Sequence, residues 1–210
     1  IIFDYIELFF NFSSSYSQYF EVVMKKFLLV LVSVIVLAIV GIITYVTTAL
    51  PNVGEPENIT IDVTPQMLER GKYLVETVSG CIDCHSVRDY TKWAGPIKEE
   101  TRGGGGEKWT EEMGLPGNVI SRNITPFAIG DWTDGELFRA ITSGVSKDGS
   151  ALFPIIPYHS FGKADKEDIY SIIAYLRTIE PNKSVPQKTE LNFPMSLIVN
   201  LIPQKAEFGK

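Results

Sequence analysis

Twenty-four consecutive residues without a charge, FLLVLVSVIVLAIVGIITYVTTAL at positions 27–50, constrain this chain more than any other stretch. Wound as a helix at 1.5 Å per residue, they span about 36 Å, enough to cross a hydrocarbon core of about 30 Å with some tilt. Lys25 and Lys26 stand directly before the run, and the positive-inside rule puts that end in the cytoplasm and everything after Pro51 on the far side. A cleaved export signal is the alternative, with an apolar core of about 7–15 residues and a small-residue exit. The run here is longer, and Tyr45-Val46-Thr47-Thr48-Ala49-Leu50 is a poor cleavage site. An uncleaved single-pass anchor is therefore the preferred reading, and both readings export the rest of the chain. Residues 1–26 read as an N-terminal extension. Met24-Lys25-Lys26 resembles the natural beginning of an export signal, and the aromatic and Ser-rich stretch before it carries no functional signal.

Beyond the anchor, 160 of the 210 residues remain, room for one ordinary domain with extra segments. A formal net charge of −6 argues against nucleic acid as a partner, because phosphate binding needs clustered Lys and Arg. Residues 51–63 (PNVGEPENITIDV) show no helical period and read as a linker. A helix starts after it, with Thr64 as N-cap, Pro65 at the first helical position and Met67, Gly71, Leu74 and Val78 on one face. Thr133-Asp134-Gly135-Glu136 is a capping box opening a second helix that Gly144 ends. A third runs from about Asp165 to Thr178, with Ile169, Ile172, Ile173 and Leu176 as its apolar stripe and Pro181 barring continuation. Strand signals are scarce, so the fold class is mainly α with long loops. The run Gly103 to Gly106 lacks the Gly-Lys-Ser/Thr ending of a phosphate loop and reads as a flexible surface loop. Residues 181–210 form a C-terminal extension. Its Leu191 to Ile202 segment is too short to span a bilayer, and either packs on the domain or meets the membrane surface or a partner subunit.

The distinctive chemistry lies in five residues. The chain has two cysteines and two histidines, and three of these four fall in Cys81-Ile82-Asp83-Cys84-His85. This is the C-x-x-C-H pattern of haem attachment, in which both thiols add to the haem vinyl groups and the adjacent imidazole ligates iron. One helical turn puts both sulfurs along one porphyrin edge and lets the next residue project beneath the ring. A thioredoxin-like redox pair would need a β-α-β setting. A zinc site would need a second Cys or His pair. Neither is in the sequence, so one covalently attached haem c is the expected cofactor, with Cys81 and Cys84 holding it and His85 on iron.

Residues 64–180 resemble a class I cytochrome c, with an N-terminal helix leading into C-x-x-C-H and a terminal helix carrying Tyr175-Leu176-Arg177. The resemblance implies a few helices and long loops around one haem, and a crossing of first and last helices that sets Gly71 against Tyr175 or a neighbour. Asn123-Ile124-Thr125-Pro126, Gly130-Asp131-Trp132-Thr133-Asp134-Gly135-Glu136 and Tyr170 to Arg177 resemble more narrowly the cytochrome c subunits and domains of bacterial membrane-bound alcohol and sugar-acid dehydrogenases. This resemblance implies a non-enzymatic electron carrier in the periplasm, tethered to the inner membrane. Its partners would be redox proteins: a dehydrogenase, a terminal oxidase or another cytochrome.

One position departs from that pattern. The related segment carries a methionine between two prolines, and its thioether is the sixth iron ligand. Here the segment reads Phe153-Pro154-Ile155-Ile156-Pro157-Tyr158, and Ile156 has no lone pair to offer. Three outcomes stay open: His159 as sixth ligand, a distal position left to water or small ligands, or Met113 or Met195 substituting from farther away. The second outcome carries an alternative function, a haem protein that binds small ligands or peroxide. Arg102, Arg122 and Trp109 are candidates for hydrogen bonds to the haem carboxylates.

Overall fold

The computed structural model describes residues 2–208 and the side chains of 19–208. The chain divides into two compact units, Ile1–Thr48 and Ala49–Lys210. In the first, helix α1 (Ile2–Thr48) contains a segment of 30 residues, Tyr19–Thr48, long and apolar enough to cross a membrane. Four of its described hydroxyls, those of Ser33, Thr44, Thr47 and Thr48, bond back to the helix. Ser33, Thr44 and Thr48 each donate to the carbonyl four residues earlier, at 2.8, 2.8 and 2.7 Å. Such bonds satisfy these three donors in an apolar surrounding. Helical backbone continues upstream through Lys25 and Lys26. The extension expected over 1–26 lies, for side chains 1–18, outside the described residues.

In the second unit, residues 51–63 contain no helix or strand, as their composition suggests. Their second half nevertheless lies on the domain, with Ile59 and Ile61 against the core and Ile61 N donating to Asp134 Oδ2 at 3.2 Å. Helix α2 (Pro65–Tyr73) opens with Thr64 Oγ1 accepting from Met67 N at 3.2 Å and Pro65 at the first position. It passes into a π-helical turn, Leu74–Val78. The wider turn rotates the face: Gly71, Leu74 and Val75 point inward, whereas Val78, expected on the apolar face, is 57% exposed. Helix α3 (Cys81–Cys84) follows Gly80, which adopts a left-handed conformation with φ 60°.

Three short strands, β1 (Lys108–Trp109), β2 (Gly117–Ile120) and β3 (Glu190–Leu191), make an antiparallel sheet in that order. Lys108 pairs with Ile120 and Gly117 with Leu191. The sheet is a departure from the sequence reading. Strands of two to four residues are too short to display an alternating pattern. Through β3 the C-terminal extension is built into the domain, and Asn123 Nδ2 also donates to the carbonyls of Asn182 and Ser184 at 2.7 and 2.9 Å.

Helices α4 (Pro126–Ile129), α5 (Asp134–Ser143), α6 (Tyr158–Phe161), α7 (Lys166–Leu176) and α8 (Met195–Ile198) complete the mainly helical unit. The capping box of α5 is present, with Glu136 N donating to Thr133 Oγ1 at 3.1 Å and Thr133 N to Glu136 Oε2 at 2.7 Å. Thr133→Ala removes an acceptor for an end-of-helix donor. It lowers stability by about 1 kcal/mol, measured as a shift of the denaturant midpoint with unchanged slope; an unshifted midpoint would show the cap to be dispensable.

The core forms where α2 crosses α7. Ile169, Ile172, Ile173 and Leu176 are buried against Leu74, Val75 and Ile82. Gly71 lies at the crossing: a Cβ there would collide with the Ser171 carbonyl and come 2.8 Å from Tyr175 Cβ. The crossing is tied at both sides. Arg70 makes a two-point contact with Asp168 at 2.8 and 2.7 Å, and Tyr175 Oη donates to Glu76 Oε1 at 2.8 Å.

Candidate functional site

Helix α3 is a single turn, so Cys81 and Cys84 stand one above the other, with His85 as the residue that ends it. Backbone bonds from Cys84 N to Gly80 O (3.0 Å) and from His85 N to Cys81 O (2.9 Å) hold that turn. Both cysteines are free thiols. Burial, aided by the charge of Cys84, pushes the Cys81 thiol up to about 12, and burial also raises that of the more exposed Cys84. Both are thus neutral thiols near pH 7, the form that adds across a vinyl group.

His85 is oriented from behind. Its Nδ1 lies 2.6 Å from the carbonyl oxygen of Arg122. A carbonyl only accepts, so Nδ1 carries the proton and Nε2 keeps its lone pair. Desolvation lowers the imidazole pKa, and the Arg122 carbonyl only partly opposes it. A neutral ring with a fixed tautomer and a free Nε2 is what a metal-ligating histidine requires. Cys81, Cys84 and His85 therefore fit a covalently held haem, with two thiols on one face of a turn and one oriented imidazole.

The loop behind His85 corrects the expectation for Gly103 to Gly106. Gly103, Gly104 and Gly105 are buried, not a flexible surface loop. Gly105 N donates to His85 O at 2.8 Å, and Gly106 N donates to Ser121 O at 3.0 Å. Gly103 N donates to the buried Ser86 Oγ at 3.0 Å, and Ser86 Oγ in turn to Ile82 O at 2.6 Å. The glycines thread between the C-x-x-C-H segment and residues 121–124, where a Cβ on Gly105 would stand 2.5 Å from the carbonyl carbon of Arg122. Lack of side chains is here a packing requirement. Glu107, only 4% exposed, accepts from Arg88 N at 2.9 Å and from the Tyr90 hydroxyl, while its own N–H donates to Ser121 Oγ at 2.9 Å. Nothing in the sequence around Glu107 marks it as a buried acid; a buried carboxylate is visible only once its donors are.

The other sequence candidates are dispersed. Ile156 is half-buried in the loop before α6, and its carbonyl accepts from Tyr158 N at 2.8 Å. His159 is exposed and its ring lies tilted against that of Tyr158, with centroids 4.5 Å apart. It lines a surface pocket of about 340 Å³ with Thr142, Lys163 and Gln204, to whose wall Cys81, Cys84 and His85 do not contribute. Met113 is exposed in a short 3-10 turn, and Met195 opens α8. Arg102 is engaged by Glu76, and Trp109 lies in β1. Arg122 is exposed and donates from Nη1 to Ser146 Oγ at 3.0 Å.

No family model matches the chain. Several curated proteins are similar to it. The cytochrome c subunit of the quinone alcohol dehydrogenase of Gluconacetobacter polyoxogenes is 29% identical over 143 residues, 66% of this chain and 27% of that protein. The fructose dehydrogenase cytochrome subunit of Gluconobacter japonicus is 32% identical over 139 residues, 64% of this chain and 26% of its own length. A diheme cytochrome c-type protein of Cereibacter sphaeroides is 29% identical over 120 residues, covering 56% and 38%. The chain thus spans about a quarter of the length of the first two relatives. Its homologues include cytochrome c subunits of alcohol, gluconate and fructose dehydrogenases.

Proposed function

We propose that this relative of dehydrogenase cytochrome c subunits is a one-electron carrier: a c-type cytochrome domain with one haem, held at a bacterial inner membrane by α1. The observation that carries the reading is the 2.6 Å contact between His85 Nδ1 and the Arg122 carbonyl, made by the residue that directly follows the two thiols of α3. The haem, when attached, supplies a ferrous/ferric couple. Cys81 and Cys84 would hold it through two thioethers, the neutral His85 would offer Nε2 to the metal, and the buried glycine run would keep water from the back of that imidazole. Two cysteines suffice for one haem. Lys25 and Lys26 before the apolar run support an N-in anchor with the haem domain in the periplasm. The chain would relay electrons between a dehydrogenase and the respiratory chain, through a terminal oxidase or another cytochrome. No substrate chemistry is assigned to it.

Ile156 favours one second reading, an open distal position that takes water, a gas or peroxide. Absorption spectra of the purified full chain in both redox states, with and without carbon monoxide, separate the two. A closed carrier leaves the reduced spectrum unchanged by carbon monoxide; rapid binding establishes the open site instead. Ile156→Met is expected to gain a methionine–iron charge-transfer band. A wild-type protein already showing that band would overturn the assignment of position 156.

A further inference from the structure

We propose that Tyr158, Arg139 and Arg122 form a carboxylate-binding corner that holds the carboxylates of the haem, an inference that rests on the haem reading above. Among the described residues, two buried side-chain polar atoms lack any hydrogen-bond partner: Arg139 Nε and the Tyr158 hydroxyl. Both are donors. A buried polar group left unpaired costs about 1–3 kcal/mol, so two orphans in one small region call for an acceptor.

They adjoin the same turn. Tyr158 is fully buried with its ring against Gly144, where a Cβ would lie 2.6 Å from the hydroxyl-bearing Cζ, and Gly144 has φ +74°. Arg139 Nη2 donates to Ser146 O at 2.8 Å, and Arg122 Nη1 to Ser146 Oγ at 3.0 Å. The turn itself is pinned by Leu152 N to Gly144 O at 2.8 Å and Ser146 N to Ser150 O at 2.9 Å. Its acid, Asp148, is engaged by Ser150 N and Oγ at 3.1 and 2.6 Å.

Charge points the same way. Of the six arginines in the chain, Arg70, Arg88, Arg102 and Arg177 each pair with a carboxylate. Arg122 and Arg139 form no ion pair among the described residues, and both converge on Ser146; the Asp148 carboxyl beside them is held low first by the Ser150 hydroxyl and, to a lesser extent, by the charge of Arg122. Arg122 also supplies the carbonyl that orients His85, so this corner is joined to the iron ligand by one residue. Two cations and a buried hydroxyl are complementary to the anionic edge of a haem, which carries two carboxylates. Burial holds the Tyr158 phenol up at about 12, so it stays protonated and donates.

The test is the midpoint potential of the haem-loaded full chain, followed across the pH range in which carboxylates titrate. In the wild type the donors keep the carboxylates ionised and the potential is nearly flat with pH. Arg139→Gln leaves one negative charge uncompensated, which stabilises ferric iron: the potential falls at neutral pH and gains a slope as that carboxylate titrates. Arg139→Lys restores the charge and most of both effects, which a merely structural role would not predict. Tyr158→Phe keeps the ring on Gly144 and shifts the profile in the same direction by less. Should Arg139→Gln fail to fold, Tyr158→Phe still decides the matter, read also by the carboxylate bands of redox-difference infrared spectra. Unchanged potentials, slopes and carboxylate bands in variants that retain covalent haem overturn the corner alone. A wild type without covalent haem overturns the reading on which it rests.

Discussion

Cys81→Ala combined with Cys84→Ala abolishes haem staining of the denatured chain, while the wild type keeps its haem through denaturation. The effect is all-or-none because the two thioethers are the only covalent links that the chain's two cysteines can make. Each single variant retains one link, so its stain weakens without vanishing. The structure adds a ranking. Cys81 is the more deeply buried thiol and Cys84 the exposed one, so Cys84→Ala leaves a remaining link that is better shielded from solvent. If the double variant still carries haem after denaturation in detergent, the attachment at α3 is wrong and so is the proposed function.

Gly105→Ala is expected to destabilise this domain strongly. Two costs combine. At φ +73° an alanine pays about 1–2 kcal/mol for the left-handed conformation. Its methyl would also stand 2.5 Å from the carbonyl carbon of Arg122 and the oxygen of Ser121, and overpacking of that kind costs about 1–3 kcal/mol. The sum, about 2–5 kcal/mol, is a large part of the 5–15 kcal/mol typical of a whole domain. Because Gly105 N donates to His85 O, and Arg122 orients His85, haem content falls with stability. Gly149→Ala is the control: it has φ +83° with nothing within 4 Å of the added Cβ, and pays only the conformational part. Equal losses in the two variants, measured by denaturant unfolding followed at the haem absorbance, would falsify the close packing described for the glycine run.

The parts of the fold legible in the sequence are those whose signals are local. Thr64, Pro65 and the Thr133 to Glu136 box announce helix starts because capping partners lie within three residues. The stripe Ile169, Ile172, Ile173 and Leu176 reads as a buried face because its period is that of one helix. Gly71 could be set against the last helix because its bareness in an apolar face makes sense only at a crossing. Less legible is whatever depends on a distant partner. Val78 turned outward because one π-helical turn shifts the face. The three strands carry no local signature because they are held by pairing, not by pattern. Arg122 stands out in the sequence for its charge, yet its closest tie to the site is a backbone carbonyl, which any residue would supply.

The C-x-x-C-H spacing and the uncharged run at 27–50 are properties of neighbours along the chain, and they suffice to raise the expectation of haem attachment and to mark a membrane-length helix. The tautomer of His85, the burial of Gly103 to Gly105 and Glu107, and the unpaired donors of Arg139 and Tyr158 arise from segments far apart in sequence meeting in space. Hydrogen bonding and desolvation act through those meetings, which no local pattern encodes.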